Sequence, residues 1–199
     1  MEAQCKEGNW TYYAEPGNRN VFLMAINHNG NNVTFRPDID FNASGSKEVF
    51  DGTTLYGAVF GERLFNIDVV SGTLTAPYDV KFYYDNSELL DVANKYDARK
   101  SLPGFKALRD SMSWFTSVAT AFTPSLLNSI TKVPVLFPHV IQTAVTRGVE
   151  AGINFVTINN MVSNNGGGTM YLDYRITSGS GINPSNGSCL LYTSDAADE

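Results

Sequence analysis

Charged side chains are scarce in this sequence. Asp, Glu, Lys and Arg make up 17% of its 199 residues, against about 25% in an average soluble domain. The net charge is −6 and no run of Lys or Arg offsets it, whereas proteins that bind nucleic acid usually carry basic patches. The composition therefore argues against a nucleic-acid partner.

Long apolar runs and a leader are also missing. A transmembrane helix needs about 18 or more apolar residues in succession, and the sequence has no such run, so we expect no transmembrane segment. The opening MEAQCKEGNW lacks the basic and apolar segments of a signal peptide. Either the protein works in the cytosol, or its true N-terminus lies upstream of Met1.

Histidine and cysteine are equally rare, with two of each. His28 and His139 each stand without a second His or a Cys nearby, whereas a zinc site needs several clustered ligands. Cys5 and Cys189 lie near opposite ends of the chain. A disulfide between them would close almost the whole chain, but two cysteines with this spacing support that inference only weakly.

Catalytic arrangements are missing as well. Asp38 and Asp40, with Asp51 nearby, offer oxygen atoms to calcium but lack the spacing of a calcium loop. The acidic residues are scattered, and SGSG at 178–181 lacks the strand–elbow–helix setting of a nucleophilic serine. SNNGGG at 163–168 has no following Lys and is interpreted as a turn rather than a phosphate-binding loop. We predict no catalytic residue, no cofactor and no metal ligand.

Apolar and polar residues alternate with period two along much of the chain. This pattern, in segments rich in Val, Ile, Phe, Tyr and Thr, is typical of β-strands. The predicted strands are 10–14, 20–28, 33–41, 53–60, 63–70, 79–85, 133–145, 153–162 and 169–176. Segment 111–122 is ambiguous, and its Trp-Phe pair favours a strand. Turns rich in Gly and Asn, including TRGVEAG at 146–152, favour antiparallel pairing.

Residues 86–100 follow helical spacing instead. Ser87 is placed to cap the N-terminus, and Glu88 suits the positive end of the helix dipole. The apolar residues at helical spacing are Leu89, Val92, Ala93 and Tyr96. The sequence therefore predicts a mostly antiparallel β-sandwich, immunoglobulin-like or jelly-roll-like, with one inserted helix near 87–100.

Aromatic side chains are plentiful, at 12% of the sequence, and they have two interpretations. They can fill the core of a sandwich, or they can form a face on which sugar rings stack. Because consecutive strand residues point to opposite faces, one of Tyr83 and Tyr84 must lie outside the core or under the helix. A planar row of exposed rings would favour sugar binding, whereas isolated aromatics would favour a structural role.

Four stretches after Cys5 combine a Trp-Thr-Tyr strand, an aromatic doublet before a helix that begins with an acid, and a hairpin before a small-residue turn. They are GNWTYYAEPGNRNVFLMAI, SGTLTAPYDVKFYYDNSELLDVA, SWFTSVATAFTPS and RGVEAGINFVTINNMVSNNGG. They resemble a domain of large secreted surface proteins of Bacteroidota, the cargo of the type IX secretion route. RLFNID at 63–68 departs from it, since relatives often have Arg-Tyr-Trp there. The resemblance implies a non-enzymatic β-sandwich, a spacer or adhesive module outside the cell or at its surface.

The last residues, CLLYTSDAADE at 189–199, resemble a translated transposase adapter from shotgun sequencing. That adapter encodes Cys-Leu-Leu-Tyr-Thr-Ser-Asp-Ala-Ala-Asp and then the start of an Asp or Glu codon. The resemblance implies that 1–188 is a single β-sandwich domain, a fragment of a longer protein. Residues 189–199 are then a non-native disordered tail, which we expect to be extended and poor in long-range contacts.

The function predicted from the sequence is a non-catalytic extracellular structural or adhesion module of a large secreted surface protein. The alternative is a carbohydrate-binding module appended to an enzyme that lies outside this fragment. The sequence does not identify a partner, although a cell-surface or extracellular polysaccharide fits both interpretations.

Overall fold

The computed structural model describes residues 1–41, 44–51, 55–108, 112–117, 145–162, 164–177, 182–183 and 190–191. Its elements in chain order are β1 (Glu2–Glu7), β2 (Trp10–Glu15), β3 (Asn18–Asn27), β4 (Thr34–Phe41), β5 (Lys47–Asp51), β6 (Tyr56–Phe60), β7 (Arg63–Ser71), β8 (Tyr78–Tyr84), α1 (Asn86–Arg99), β9 (Phe105–Ala107), β10 (Ser113–Ser117), β11 (Val145–Glu150), β12 (Ile153–Met161), β13 (Asn165–Ile176), β14 (Ile182–Asn183) and β15 (Leu190–Leu191).

Two antiparallel sheets pack face to face. The six-stranded sheet has the order β1-β2-β3-β8-β12-β11. The seven-stranded sheet has the order β4-β7-β13-β6-β5, and β9 and β10 also pair with β13. This arrangement confirms the predicted antiparallel β-sandwich with one helix. In the described part of the chain, that helix is not long and apolar enough to cross a membrane.

The core lies between the sheets because each strand turns alternate residues inward. On β8, the side chains of Val80, Phe82 and Tyr84 are buried in this core. The ring of Phe82 lies 4.6 Å from the ring of Phe65, centroid to centroid, which joins the six-stranded sheet to the seven-stranded one. The alternation read from the sequence therefore identifies the inward face correctly.

Strand β13 is the central element of the seven-stranded sheet. Its residues 165–168 pair with β7, and residues 167–171 pair with β10. Residues 171–175 pair with β6, and residues 174–176 pair with β9. The prediction of a turn at 163–168 is wrong, because β13 begins at Asn165 and includes the three glycines. These glycines are buried between neighbouring strands, where they leave room for close backbone approach.

The helix α1 packs on the seven-stranded sheet through the predicted apolar face. Val92 and Tyr96 are buried, and the Tyr96 ring meets the rings of Phe105 and Tyr174 edge-on. The N-cap is Asp85 rather than Ser87, because Asp85 keeps an extended backbone immediately before the first helical residue. The Asp85 N–H donates to a carboxylate oxygen of Glu88 at 3.0 Å, one half of a capping box.

The structure also corrects several predicted boundaries. The predicted turn at 146–152 is mostly strand β11, and only Ala151 and Gly152 turn the chain, both with positive φ. The short strands β1, β5 and β9 were not predicted. The strand predicted from 111–122 is confirmed for Ser113–Ser117. The strand predicted at 133–145 lies outside the described residues, except for Val145.

Leu190–Leu191 pairs with Ile182–Asn183 in a separate two-stranded sheet. An extended tail without such pairing was expected, so this short contact departs from that expectation. It links the tail to residues only slightly earlier in the chain, and β15 is not a strand of either layer of the sandwich. The adapter origin of 189–199 stays a prediction.

Candidate functional site

The outer face of the six-stranded sheet carries a cluster of rings around one lysine and one glutamate. We call it the aromatic face. Its members are Trp10, Tyr12, Phe22, Lys81, Tyr83, Glu150, Ile153 and Phe155.

Strand register explains why these side chains meet. Tyr12 pairs with Ala25, and Ala25 pairs in turn with Lys81. Paired residues of antiparallel strands point to the same side of the sheet, so all three face outward. Because the buried Ala25 is small, the side chains of Tyr12 and Lys81 can meet above it. The small residue between them therefore lets the ammonium group of Lys81 lie near the Tyr12 ring.

Three rings surround the ammonium group of Lys81. Its Nζ lies 4.9 Å from the ring centroid of Trp10, 4.8 Å from that of Phe155 and 5.8 Å from that of Tyr12. A cation at these distances from ring faces is attracted by their negative charge density. The lysine of β8 therefore joins rings from two other strands, β2 and β12.

Glu150, the last residue of β11, accepts three hydrogen bonds at this point. The Tyr12 hydroxyl donates to Oε1 at 3.1 Å, and the Tyr83 hydroxyl and Lys81 Nζ donate to Oε2, each at 2.8 Å. Burial alone would raise the pKa of Glu150, but the hydrogen bonds from Lys81 and Tyr83 outweigh burial and hold that pKa below its usual value. Glu150 is therefore an ionised acceptor at neutral pH.

The two tyrosines respond in the opposite direction. Burial, followed by the hydrogen bond to the Glu150 carboxylate, raises the pKa of Tyr12 and of Tyr83 well above the ordinary value. Both hydroxyls stay protonated and act as donors across the physiological range. In this cluster the tyrosine hydroxyls remain hydrogen-bond donors and the Glu150 carboxylate remains their acceptor.

Gly148 sets the position of the Phe155 ring. The two residues are paired across β11 and β12, and a Cβ atom on Gly148 would stand 2.5 Å from Phe155 Cζ. The ring therefore covers the glycine backbone, as aromatic side chains do for exposed strand glycines. Because Gly148 has no side chain, the Phe155 ring can lie over it, and the ring centroid is 4.8 Å from Lys81 Nζ.

The rings of the aromatic face do not form a plane. Tyr12 and Phe22 are inclined at 54°, Phe22 and Tyr83 at 44°, and Tyr83 and Phe155 at 58°. Trp10, Phe22 and Phe155 are half-buried, whereas Tyr12 and Tyr83 are buried. The face is thus neither the planar exposed row nor the isolated aromatics that the sequence analysis contrasted. Tyr83 lies outside the core and Tyr84 within it.

The side chains of Asp38 and Asp40, two of the three calcium candidates, are described, and they do not belong to a larger acidic group. Asp38 is exposed, and Asp40 accepts a hydrogen bond from Asn66 Nδ2 at 2.9 Å. The side chain of Asp51 lies outside the described part of the structure. Among the described residues, no group of three or more His, Cys, Asp or Glu side chains could hold a metal ion.

His28 occupies a packed position at the end of β3. Its Nε2 lies 3.2 Å from Thr11 Oγ1, and its ring meets Phe35 edge-on at 4.9 Å. Burial, helped by Lys6, lowers the pKa of His28. The sequence interpretation of a packed histidine fits this environment. His139 lies outside the described residues, and Cys5 is exposed on β1.

A second carboxylate cluster lies beneath the helix. Arg99 of α1 binds Glu48 of β5 through two nitrogens, with its Nε at 2.7 Å from Oε1. The Tyr174 hydroxyl donates to the same Oε1. These bonds fasten the last turn of the helix to the seven-stranded sheet, so this cluster has a structural role.

Lys81 and Glu150 are the residues that sequence reasoning missed. A signal for Lys81 existed, because it is the charged outward residue of the aromatic segment DVKFYY. Glu150 left no such signal, since its strand was interpreted as a turn and Lys81 is 69 positions away. Only the pairing of β8 with β12 and of β12 with β11 brings them together.

No protein-family model, curated protein or solved structure matches this chain. The resemblance to surface-protein domains therefore stays a prediction.

Proposed function

We propose that this chain is a non-catalytic structural or adhesion module of a large secreted surface protein. Support for the extracellular setting comes from the sequence resemblance. Support for a non-catalytic role comes from the aromatic face, where a carboxylate lies beside two tyrosine hydroxyls and a lysine.

The observation that carries the proposal is the state of Glu150. A general acid or base works best when its pKa lies near the working pH. Here the pKa of Glu150 is held down, while those of Tyr12 and Tyr83 are raised. Each of these three shifts moves the pKa of the group further from pH 7. Near neutral pH, Glu150 therefore stays ionised and both tyrosines stay protonated. Such groups suit contacts between strands and with a partner rather than proton transfer.

Among the described carboxyl groups, Glu88 has a pKa that shifts towards neutrality. Burial raises it, while Arg63 and the Asp85 amide act in the opposite direction. One Glu88 oxygen accepts the Asp85 N–H and the other contacts Arg63 Nε. The side chain is 4% exposed, beneath the first turn of α1. Both oxygens are used by the fold, so Glu88 serves as a helix cap.

The test is a search for turnover with a matched variant. The purified chain, incubated with a panel of glycans, esters and peptides, is expected to hydrolyse none of them. Turnover that survives clean purification would contradict the proposal, and its disappearance in Glu150→Gln would assign it to the aromatic face. Glu48→Gln is the control, because Glu48 accepts the same kinds of hydrogen bond beneath the helix.

A further inference from the structure

We propose that the aromatic face binds a neutral saccharide chain along the outer surface of the six-stranded sheet. This inference rests on the proposed function, since it names the class of partner that the module holds. It assigns the contact surface to Trp10, Phe22 and Phe155, with Lys81 and Glu150 supplying hydrogen bonds.

The half-buried rings provide the apolar part of such a site. Trp10 and Phe155 both lie within 5 Å of Lys81 Nζ, measured from the ring centroids. They therefore border one continuous surface although they come from β2 and β12. Sugar rings present C–H faces, and an aromatic ring offers them apolar area at a small cost in conformational entropy.

Glu150 provides unused hydrogen-bonding capacity at the centre of this surface. An ionised carboxylate has about four acceptor positions, and Tyr12, Tyr83 and Lys81 occupy three of them. The Glu150 side chain is 32% exposed, so a further donor can approach from solvent. A sugar hydroxyl is a donor of the right kind, and it would meet a carboxylate already held in place.

The charges on this face favour a neutral ligand. The described carboxylates that point outward here are Glu7, Asp79 and Glu150, because Glu7 and Asp79 belong to the same outward rows as Trp10. Among the side chains that the structure describes on this face, the cation Lys81 opposes them, and it is already paired. A polyanion would meet net repulsion, whereas an uncharged polysaccharide would meet none.

The position of the site also indicates how a chain would bind. The rings lie on a sheet surface and come from β2, β3, β8 and β12, which are consecutive strands of the sheet. Neighbouring strands are about 4.8 Å apart, so the rings span several strand spacings. An extended polymer can cross this surface, and internal units of the polymer can be bound.

The test measures binding of the full chain to soluble neutral polysaccharides (a β-glucan, a xylan and a mannan) and to polygalacturonate, by affinity electrophoresis and calorimetry. We expect binding to at least one neutral polymer and none to polygalacturonate. Trp10→Ala should weaken binding roughly tenfold or more, as truncation of a central aromatic contact does. Phe155→Leu should weaken it less.

Phe41→Ala is the matched control, because Phe41 is an exposed aromatic (56%) on the seven-stranded sheet; its binding should equal that of the parent. Unfolding midpoints identify folded variants, and Phe155→Leu keeps the test decisive if Trp10→Ala does not fold. The inference is overturned by failure to bind any of the neutral polymers, by equal binding in Trp10→Ala, or by preference for polygalacturonate. It is also overturned by dimers that Trp10→Ala dissociates. None of these results produces turnover, so they leave the proposed function standing.

Discussion

The chain holds a glutamate between a cation and a tyrosine hydroxyl in two places, with different consequences. Beneath the helix, Glu48 meets Arg99 and Tyr174, and the two charged side chains are 15% and 19% exposed. On the aromatic face, Glu150 meets Lys81, Tyr12 and Tyr83; Lys81 is 15% exposed and Glu150 is 32% exposed. Arginine binds a carboxylate as a rigid fork, whereas lysine is a flexible point charge. The Glu48 cluster attaches the helix to the seven-stranded sheet, whereas the carboxylate of the Glu150 cluster remains accessible to solvent.

The largest effect is expected from removing the tyrosine beneath the helix. Tyr174→Ala should lower the free energy of unfolding by about 3–5 kcal/mol, as large-to-small core changes do. The Tyr174 ring is fully buried and packs against Phe50, Phe105 and Tyr96. Urea unfolding measures the loss. A similar loss from Phe22→Ala on the half-buried outer face would show that the two regions are equally important to the fold.

Two glycines covered by rings give a second comparison. A Cβ on Gly57 would stand 2.4 Å from Tyr174 Cζ, and a Cβ on Gly148 would stand 2.5 Å from Phe155 Cζ. Gly57→Ala should cost about 1–3 kcal/mol because the buried Tyr174 cannot move without disturbing the core. Gly148→Ala should cost about 1 kcal/mol or less, since Phe155 borders solvent. Equal losses of stability for the two variants, measured by thermal unfolding, would show that the two glycines are equally constrained.

Double-mutant cycles test the two ion pairs directly. The Arg99–Glu48 coupling energy should be about 2 kcal/mol, because two charge-assisted hydrogen bonds are lost together. The Lys81–Glu150 coupling should be about 1 kcal/mol or less, as for a more exposed pair. The singles and doubles use alanine, and urea unfolding supplies the four free energies of each cycle. A larger coupling energy for Lys81–Glu150 than for Arg99–Glu48 would mean that the ion pair of the aromatic face contributes more to stability.

The smallest expected effect is the pH dependence contributed by Glu150. Its pKa is lower in the folded chain than the reference value of 4.5. Its stabilisation is therefore fully present above pH 4.5 and is lost as the pH falls through the folded pKa. The difference in urea midpoint between the parent and Glu150→Gln should shrink below about pH 4.5. A difference that widens on acidification would reverse the assigned direction of the shift.

Local sequence patterns predicted most strands and the helix of this protein, but not which side chains from distant strands come into contact. Alternation in segments such as 79–85 identified strands and placed Tyr83 and Tyr84 on opposite faces, because a strand side chain depends on its neighbours in sequence. The helix face containing Val92 and Tyr96 followed from spacing alone. The contact between Tyr12 and Glu150 spans 138 positions. It depends on which strands become neighbours, and no local pattern records that order.

The missed elements have a common cause. Strand β11 contains Gly148 and Glu150, and the first part of β13 contains three glycines. Such residues have low intrinsic preference for strands, so their conformation is imposed by the strands beside them. Their amino-acid composition predicted turns, because composition reflects the preference of each residue and not the strands that lie beside it in the sheet.

The position of β13 has a consequence for how the chain is made. This strand pairs with β6, β7, β9 and β10, all of which leave the ribosome before it does. The seven-stranded sheet therefore cannot close during synthesis until residues 165–176 have emerged. Until then, β6 and β7 expose unpaired backbone edges, and such edges attract other chains. Folding should thus be slow, as in proteins dominated by distant pairings, and we expect a chain that ends before residue 165 to be prone to aggregation.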